Sequence, residues 1–216
     1  MRRQHYLAWD DPHTRLPNRA ALIKHLQQWT SHPGRRSSIT VCLMDLGHFR
    51  EVNDSLGYEV GDALLKRLAA RIKAASGQGI FVARTGSDEF TLIITGTMPT
   101  YLRFPFLEQL RSELADLVFA ADPAHRVRVF MGTSQYVKPD HSPEEMLLFA
   151  DIALDSAKRK RLNRNVLFSS SMYQHYQRKR RLSTELRELI HCPQCPQLAL
   201  YYQPIVRGQS VVRLGA

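Results

Sequence analysis

Apolar positions along the chain switch repeatedly between a helical and a strand period. Leu22, Ile23 and Leu26 share one face of a helix predicted from Asn18 to about Trp29, and His32-Pro33-Gly34 ends it. Ile39-Thr40-Val41-Cys42-Leu43-Met44 is an apolar, β-branched run read as a buried strand that stops at Asp45. A short helix through Phe49 and Val52 follows, then a longer one over Asp62 to Ala74, with Leu64, Leu65, Leu68, Ala69 and Ile72 on one side. Ile80–Ala83 and Phe90–Ile94 read as two strands flanking Gly86-Ser87-Asp88-Glu89, a hairpin whose tip carries two carboxylates. A helix from Leu107 to about Phe119 and a strand over Val127–Met131 come next. Ser142-Pro143-Glu144-Glu145 is an N-terminal capping signature, opening a helix that reaches about Lys160. After Phe168, a polar helix over Ser171–Ile190 leads to two short strand patterns, Leu198–Tyr202 and Val211-Val212. Strands alternating with helices make the class α/β (α+β) around one sheet.

The composition is that of an ordinary globular chain: 216 residues, 44% apolar and 23% charged. That length suits one full domain and a fragment. The expected division is residues 1–168, a helical linker over 169–191, and the start of a second domain at 192–216. No apolar run approaches the roughly 20 residues of a membrane span, and no signal-peptide pattern follows the basic Met1-Arg2-Arg3 start. A cytoplasmic location is expected. Cys42 reads as a buried thiol; Cys192-Pro193-Gln194-Cys195 has only His191 nearby, so structural cysteines are favoured over a four-ligand zinc site.

Much of the net charge of +10 comes from Lys158-Arg159-Lys160-Arg161 and Arg178-Lys179-Arg180-Arg181. Such runs are usually solvated helix faces, though they can also meet nucleic-acid, membrane or nucleotide phosphates. Aromatics able to stack bases are sparse beside them, only Tyr173 and Tyr176, which counts against nucleic acid.

Asp45 at a strand end and Asp88-Glu89 at a hairpin tip leave two readings open from the residues alone. Turn-favouring residues collect at strand ends. Equally, one or two carboxylates together with substrate phosphates are what a magnesium ion takes, and two such ions can clamp an in-line displacement.

Four motifs carry a resemblance that separates these readings. Asp11-Pro12-His13-Thr14-Arg15-Leu16-Pro17-Asn18-Arg19 resembles the D-x-L-T-G-L-x-N-R entry motif of GGDEF domains. Asp45-Leu46-Gly47-His48-Phe49-Arg50-Glu51-Val52-Asn53-Asp54, continuing to Gly57 and Gly61-Asp62, is similar to that family's D-x-D-x-F-K-x-x-N-D block. Arg84-Thr85-Gly86-Ser87-Asp88-Glu89-Phe90 resembles the signature hairpin, and Ala150-Asp151-Ile152-Ala153-Leu154 with Ala157-Lys158 and Asn163 the A-D-x-A-L-Y-x-A-K-x-x-G-R-N helix.

The resemblance implies a nucleotidyl-cyclase, palm-like mixed sheet wrapped by helices. It implies two copies facing each other, each holding one GTP, that condense them to cyclic di-GMP. The metal, magnesium or manganese, would be held by Asp45, the Leu46 carbonyl and Asp88. Asp88 would also help deprotonate the hydroxyl, with Glu89 in support. Asn53 and Asp62 would read guanine, a job suited to an amide and a carboxylate. Arg50 and Lys158 would meet phosphates, and Phe49, Gly86 and Ser87 would line the GTP site.

Several positions depart from the pattern. Ser87 replaces the signature's second glycine, and a turn with φ > 0 there would be strained. Leu162 stands at the phosphate-binding arginine and Arg161 at the glycine before it; Arg15, Gly47 and Asp155 are further changes. Losing one charge-assisted phosphate contact costs on the order of 1.5–3 kcal/mol. The feedback R-x-x-D positions are Gly77-Gln78-Gly79-Ile80, so product inhibition there is not expected. Tyr202-Gln203-Pro204-Ile205 and Val211–Ala216 resemble the opening of an EAL phosphodiesterase domain, implying a complete EAL domain in the parent protein. The two functional expectations are a slow diguanylate cyclase and a silent GTP-binding regulatory module.

Overall fold

The computed structural model describes residues 9–31, 38–96, 98–121, 127–136, 141–190, 205–207 and 210–212. They fall in two compact units, Met1–Tyr173 and Gln174–Ala216. In the first unit, Asn18 caps helix α1 (Arg19–Thr30) by accepting from the Ala21 N–H at 3.1 Å. Strand β1 (Ile39–Gly47) leads into α2 (Phe49–Leu56) and α3 (Tyr58–Ala75). The hairpin β2 (Ile80–Arg84) and β3 (Glu89–Ile94) precedes α4 (Thr100–Ala121) and β4 (Arg128–Tyr136). Helix α5 (Pro143–Arg159) opens with a complete capping box between Ser142 and Glu145, and β5 (Asn165–Leu167) follows. Helix α6 (Ser170–Ile190) starts in this unit; β6 (Ile205–Arg207) and β7 (Ser210–Val212) pair as a separate antiparallel hairpin.

The five-stranded sheet has order β2-β3-β1-β4-β5, with β4 and β5 parallel and the other neighbours antiparallel. Strand alternation sorts its two faces. Cys42, Met44 and Leu46 of the central strand join Phe90 and Leu92 under α3 and α4. Val41 and Ile93 point the other way, against Leu22, Leu26 and Trp29 of α1 and Met146 and Ala150 of α5. The mixed sheet wrapped by helices is the expected class.

Several elements differ from the sequence reading, among them α3, which starts at Tyr58 rather than Asp62, and β4, which runs to Tyr136 rather than Met131. Strand β1 runs to Gly47 rather than Met44, because β4 keeps pairing it as far as Gly47 opposite Arg128. Helix α4 begins at Thr100 rather than Leu107 and contains Pro105. Buried Arg103 pins its first turn by donating to the Met98 and Ser38 carbonyls at 2.9 and 3.0 Å. Strand β5 is too short to show a period and is fixed by β4. The strand expected over 198–202 and the Cys192–Cys195 pair lie outside the described residues. Among the described residues, no helix is long and apolar enough to cross a membrane.

Candidate functional site

Asp45 and Glu89 are directly opposite in the β1–β3 ladder, so both side chains leave the same face, the one under α1 and α5. The Asp45 residue is only 7% exposed, and the Lys158 ammonium from the last turn of α5 meets its carboxylate at 2.5 Å. Asp88 sits in the turn between β2 and β3, and its carbonyl accepts from the Leu46 N–H at 3.3 Å, tying that turn to the end of β1. Two stretches some forty residues apart thus meet at one sheet end.

The charges feel one another. Burial pushes the Asp45 carboxyl above the usual carboxylate range; Lys158 opposes that shift and Asp88 adds to it. Burial likewise raises Glu89, with Asp45, Asp88 and Asp151 pushing the same way and Lys158 against them. A site where several carboxylates crowd one ammonium favours a further cation. Among the described residues no group of three His, Cys, Asp or Glu forms a ready metal cage. The oxygen donors fit an ion that takes one or two carboxylates and completes its shell from phosphates and water.

The signature turn is buttressed by the first motif. Asp11 accepts through Oδ1 from the Thr14 N–H at 2.7 Å, the Thr14 hydroxyl at 2.6 Å and Arg84 Nη1 at 3.0 Å. Arg84 also donates to the Ser87 carbonyl at 2.5 Å. The Ser87 hydroxyl donates to Asp88 Oδ1 at 2.7 Å. Ser87 is absent from the left-handed residues, so the strain expected there is not found. Left-handed backbone instead falls at His48 (φ 66) and at Arg15 (φ 60) and Arg161 (φ 50), two other positions where an arginine replaces a glycine. A Cβ on Gly86 would lie 2.7 Å from the Glu89 carboxylate, so a side chain there would push that carboxylate aside.

Asn53 and Asp62 meet at a second corner. Gly57, at φ 89, ends α2 and starts α3, and its N–H donates to the Asn53 carbonyl at 3.0 Å. A Cβ on Gly61 would come to 1.9 Å from Asn53 Oδ1 and 3.2 Å from the Phe49 ring, so a side chain there would displace the Asn53 amide. Asp62 is the next residue, half-exposed, with the His13 imidazole at 3.6 Å.

Other sequence candidates fall elsewhere. The Arg50 side chain is 92% exposed and pairs at 3.9 Å with Asp54 rather than with Asp45, Asp88 or Glu89. Leu162 packs against the apolar cluster of Phe130, Ala153, Leu154, Ala157 and Val166. Phe130 carried no sequence signal, yet a Cβ on Gly47 would lie 2.3 Å from its ring. The ring therefore occupies the space an aspartate at position 47 would need. Arg84 and Asp11 stood inside quoted motifs without a role; their partnership spans 73 residues and no local pattern discloses it.

A family model described as diguanylate cyclase, GGDEF domain, matches residues 8–164. The bifunctional diguanylate cyclase/cyclic di-GMP phosphodiesterase MucR of Pseudomonas aeruginosa is 32% identical over 97% of this chain and 30% of its own. An uncharacterized protein of Mycobacterium tuberculosis is 31% identical over 98% of this chain and 34% of its own. The chain therefore spans only about a third of the length of these curated relatives. Among solved structures, the GGDEF domain of DgcB from Caulobacter crescentus, in complex with c-di-GMP, is 26% identical. Its TM-score is 0.65, covering 74% of this chain and 95% of that one. The GGDEF domain of TpbB (YfiN) from Pseudomonas aeruginosa is 27% identical with a TM-score of 0.62, covering 78% and 99%. With the family match spanning well over half its residues, this chain belongs to the GGDEF family.

Proposed function

We propose that this chain binds GTP with magnesium or manganese and, as a homodimer, condenses two GTP to cyclic di-GMP at a reduced rate. The observation that supports this most is the convergence of Asp45, Asp88 and Glu89 at one sheet end beside Lys158. Asp88 accepts the proton of the attacking 3′-hydroxyl, whose oxygen then bonds the α-phosphorus as pyrophosphate leaves. Asp45 and the Leu46 carbonyl hold the cation with Asp88, and Glu89 steadies it. The metal supplies neutralisation of the phosphate charge. Lys158 leaves Asp45 to meet the triphosphate. Asn53 and Asp62 select guanine, Asp62 accepting from N1–H and the 2-amino group and Asn53 donating to N3. Phe49, Gly86 and Ser87 shape the walls of the site.

A second reading, a silent GTP-binding module that regulates an attached phosphodiesterase, is favoured by two features. Phe130 fills the place of a further carboxylate, and Leu162 is committed to apolar packing. For either reading, residues 192–216 would open an EAL domain belonging to a longer parent protein in the cytoplasm. The alignment with MucR, which extends over 97% of this chain, supports that arrangement.

Incubation of the purified chain with GTP and manganese, followed by chromatography, tests the proposal. Cyclic di-GMP made by the wild type and lost in Asp88→Ala is the expected result. GTP binding without product selects the regulatory module, and no GTP binding overturns both.

A further inference from the structure

On the face opposite α3, the central strand is incompletely covered. The interior of β1 is buried except at Leu43, which is half-exposed at the floor of a groove of about 410 Å³ between α1 and α5. Ile23 forms one wall, and Leu147 and Leu148 the other, all three half-exposed. Glu89, Glu144 and Asp151 stand along the groove with Arg19 as the one cation lining it. Among the described residues, no lysine or arginine comes within ion-pair distance of these three carboxylates, although Lys158 acts on Glu89 and Asp151, and Arg19 on Asp151, from farther away.

We propose that this groove is a second small-molecule site that takes an amphiphilic organic cation, its apolar body on Leu43 and its ammonium or guanidinium group among Glu144 and Asp151. Its volume lies within the roughly 300–1,000 Å³ typical of small-ligand pockets, and the pairing of apolar walls with a few charged groups is their usual make-up. Three carboxylates against one guanidinium give it a net negative lining, which repels a nucleoside triphosphate and attracts a cation. The groove is therefore chemically distinct from the corner of Asn53 and Asp62, which belongs to α2 and α3. Glu89 lines the groove and also faces Asp45, so an occupant would touch a side chain of the carboxylate site.

The test uses 2-phenylethylamine as probe, with 2-phenylethanol and 3-phenylpropionate as uncharged and anionic counterparts. Each is titrated into the full chain under amide-resolved NMR, without nucleotide or metal, so the outcome is independent of any GTP chemistry. The amine should bind with a Kd of about 1 mM, reasonable for a ligand of its size. Its shifts should centre on Ile23, Leu43, Leu147 and Leu148, at least about tenfold tighter than the alcohol, with the propionate weakest. Ile23→Trp, which fills the groove from its rim, should remove binding while the melting temperature shows an intact fold. Asp151→Asn, which keeps the shape, should shrink the gap between amine and alcohol. Equal binding of all three probes, shifts centred elsewhere, or no binding of the amine would overturn the proposal.

Discussion

Replacing Lys158 by methionine removes a charge but keeps most of the aliphatic stem packed in the last turn of α5. The ammonium lies 2.5 Å from Asp45 Oδ2 and so occupies the position a cation would take. Any metal arriving without nucleotide must displace it. The pair is asymmetric, with Asp45 10% and Lys158 39% exposed at the side chain, so its strength lies between a surface bridge and a buried one. That range is about 1–2 kcal/mol, above the 0.2–1 of exposed pairs and below the 3–5 for breaking a buried one. Lys158→Met should therefore raise manganese affinity by about fivefold to thirtyfold in the absence of nucleotide. The same substitution should weaken GTP by about tenfold through the lost phosphate contact. Free manganese read by electron paramagnetic resonance gives the first quantity, and a fluorescent GTP analogue the second. Asp45 is already raised by burial and loses the opposing Lys158 field in the variant, so both affinities are compared over a pH series. Opposite signs on the two ligands are required. Unchanged or weaker manganese binding in the variant would refute Lys158 as the resident counter-charge.

Arg161→Gly relieves a left-handed arginine and should stabilise the fold by about 0.5–1 kcal/mol, net of glycine's greater unfolded entropy, read by urea unfolding. A loss of stability there would place the cost of φ 50 elsewhere. Gly47→Asp drives a Cβ into the Phe130 ring and should cost about 2–3 kcal/mol as overpacking. Adding Phe130→Ala should recover part of that cost, and strict additivity of the two would deny the clash. Glu89 has its folded carboxyl raised, so the folded chain binds more protons than the unfolded one between the ordinary and the raised value. Without metal, stability should then fall as pH rises from about 4.5 through that window, and Glu89→Gln should flatten the slope of a melting-temperature series. A slope unchanged in Glu89→Gln would mean the raised carboxyl lies on another residue.

Legibility followed the range of the interactions. Helices α1, α3 and α5 were readable because three-to-four spacing and the Ser142–Glu145 capping box are local signals. The β2–β3 hairpin was readable for the same reason: two short runs surround one turn. Pro105 hid the start of α4, because a ring that breaks helices elsewhere is tolerated here beside the tertiary anchor of Arg103. The carboxylates Asp45, Asp88 and Glu89 stood out from motif order, and the fold brings them together as that order implies. What stayed hidden was long-range. Phe130 excludes a side chain at position 47 through a ring from β4, and the Asp11–Arg84 pair braces the turn across 73 residues. Strain expected at Ser87 was misplaced because a family glycine marks where φ can be positive, not where this chain makes it so. Here Arg15, His48 and Arg161 carry it.

At the centre of the account, Asp45 of β1 and Asp88 of the β2–β3 turn serve one ion beside a bound nucleotide. A double-mutant cycle with Asp45→Asn and Asp88→Asn, read as the affinity for GTP with manganese, addresses it directly. Each single change should weaken binding strongly and the pair should weaken it little further, a coupling of at least about 1 kcal/mol. Losses that simply add would show two carboxylates acting on separate partners and contradict the shared site.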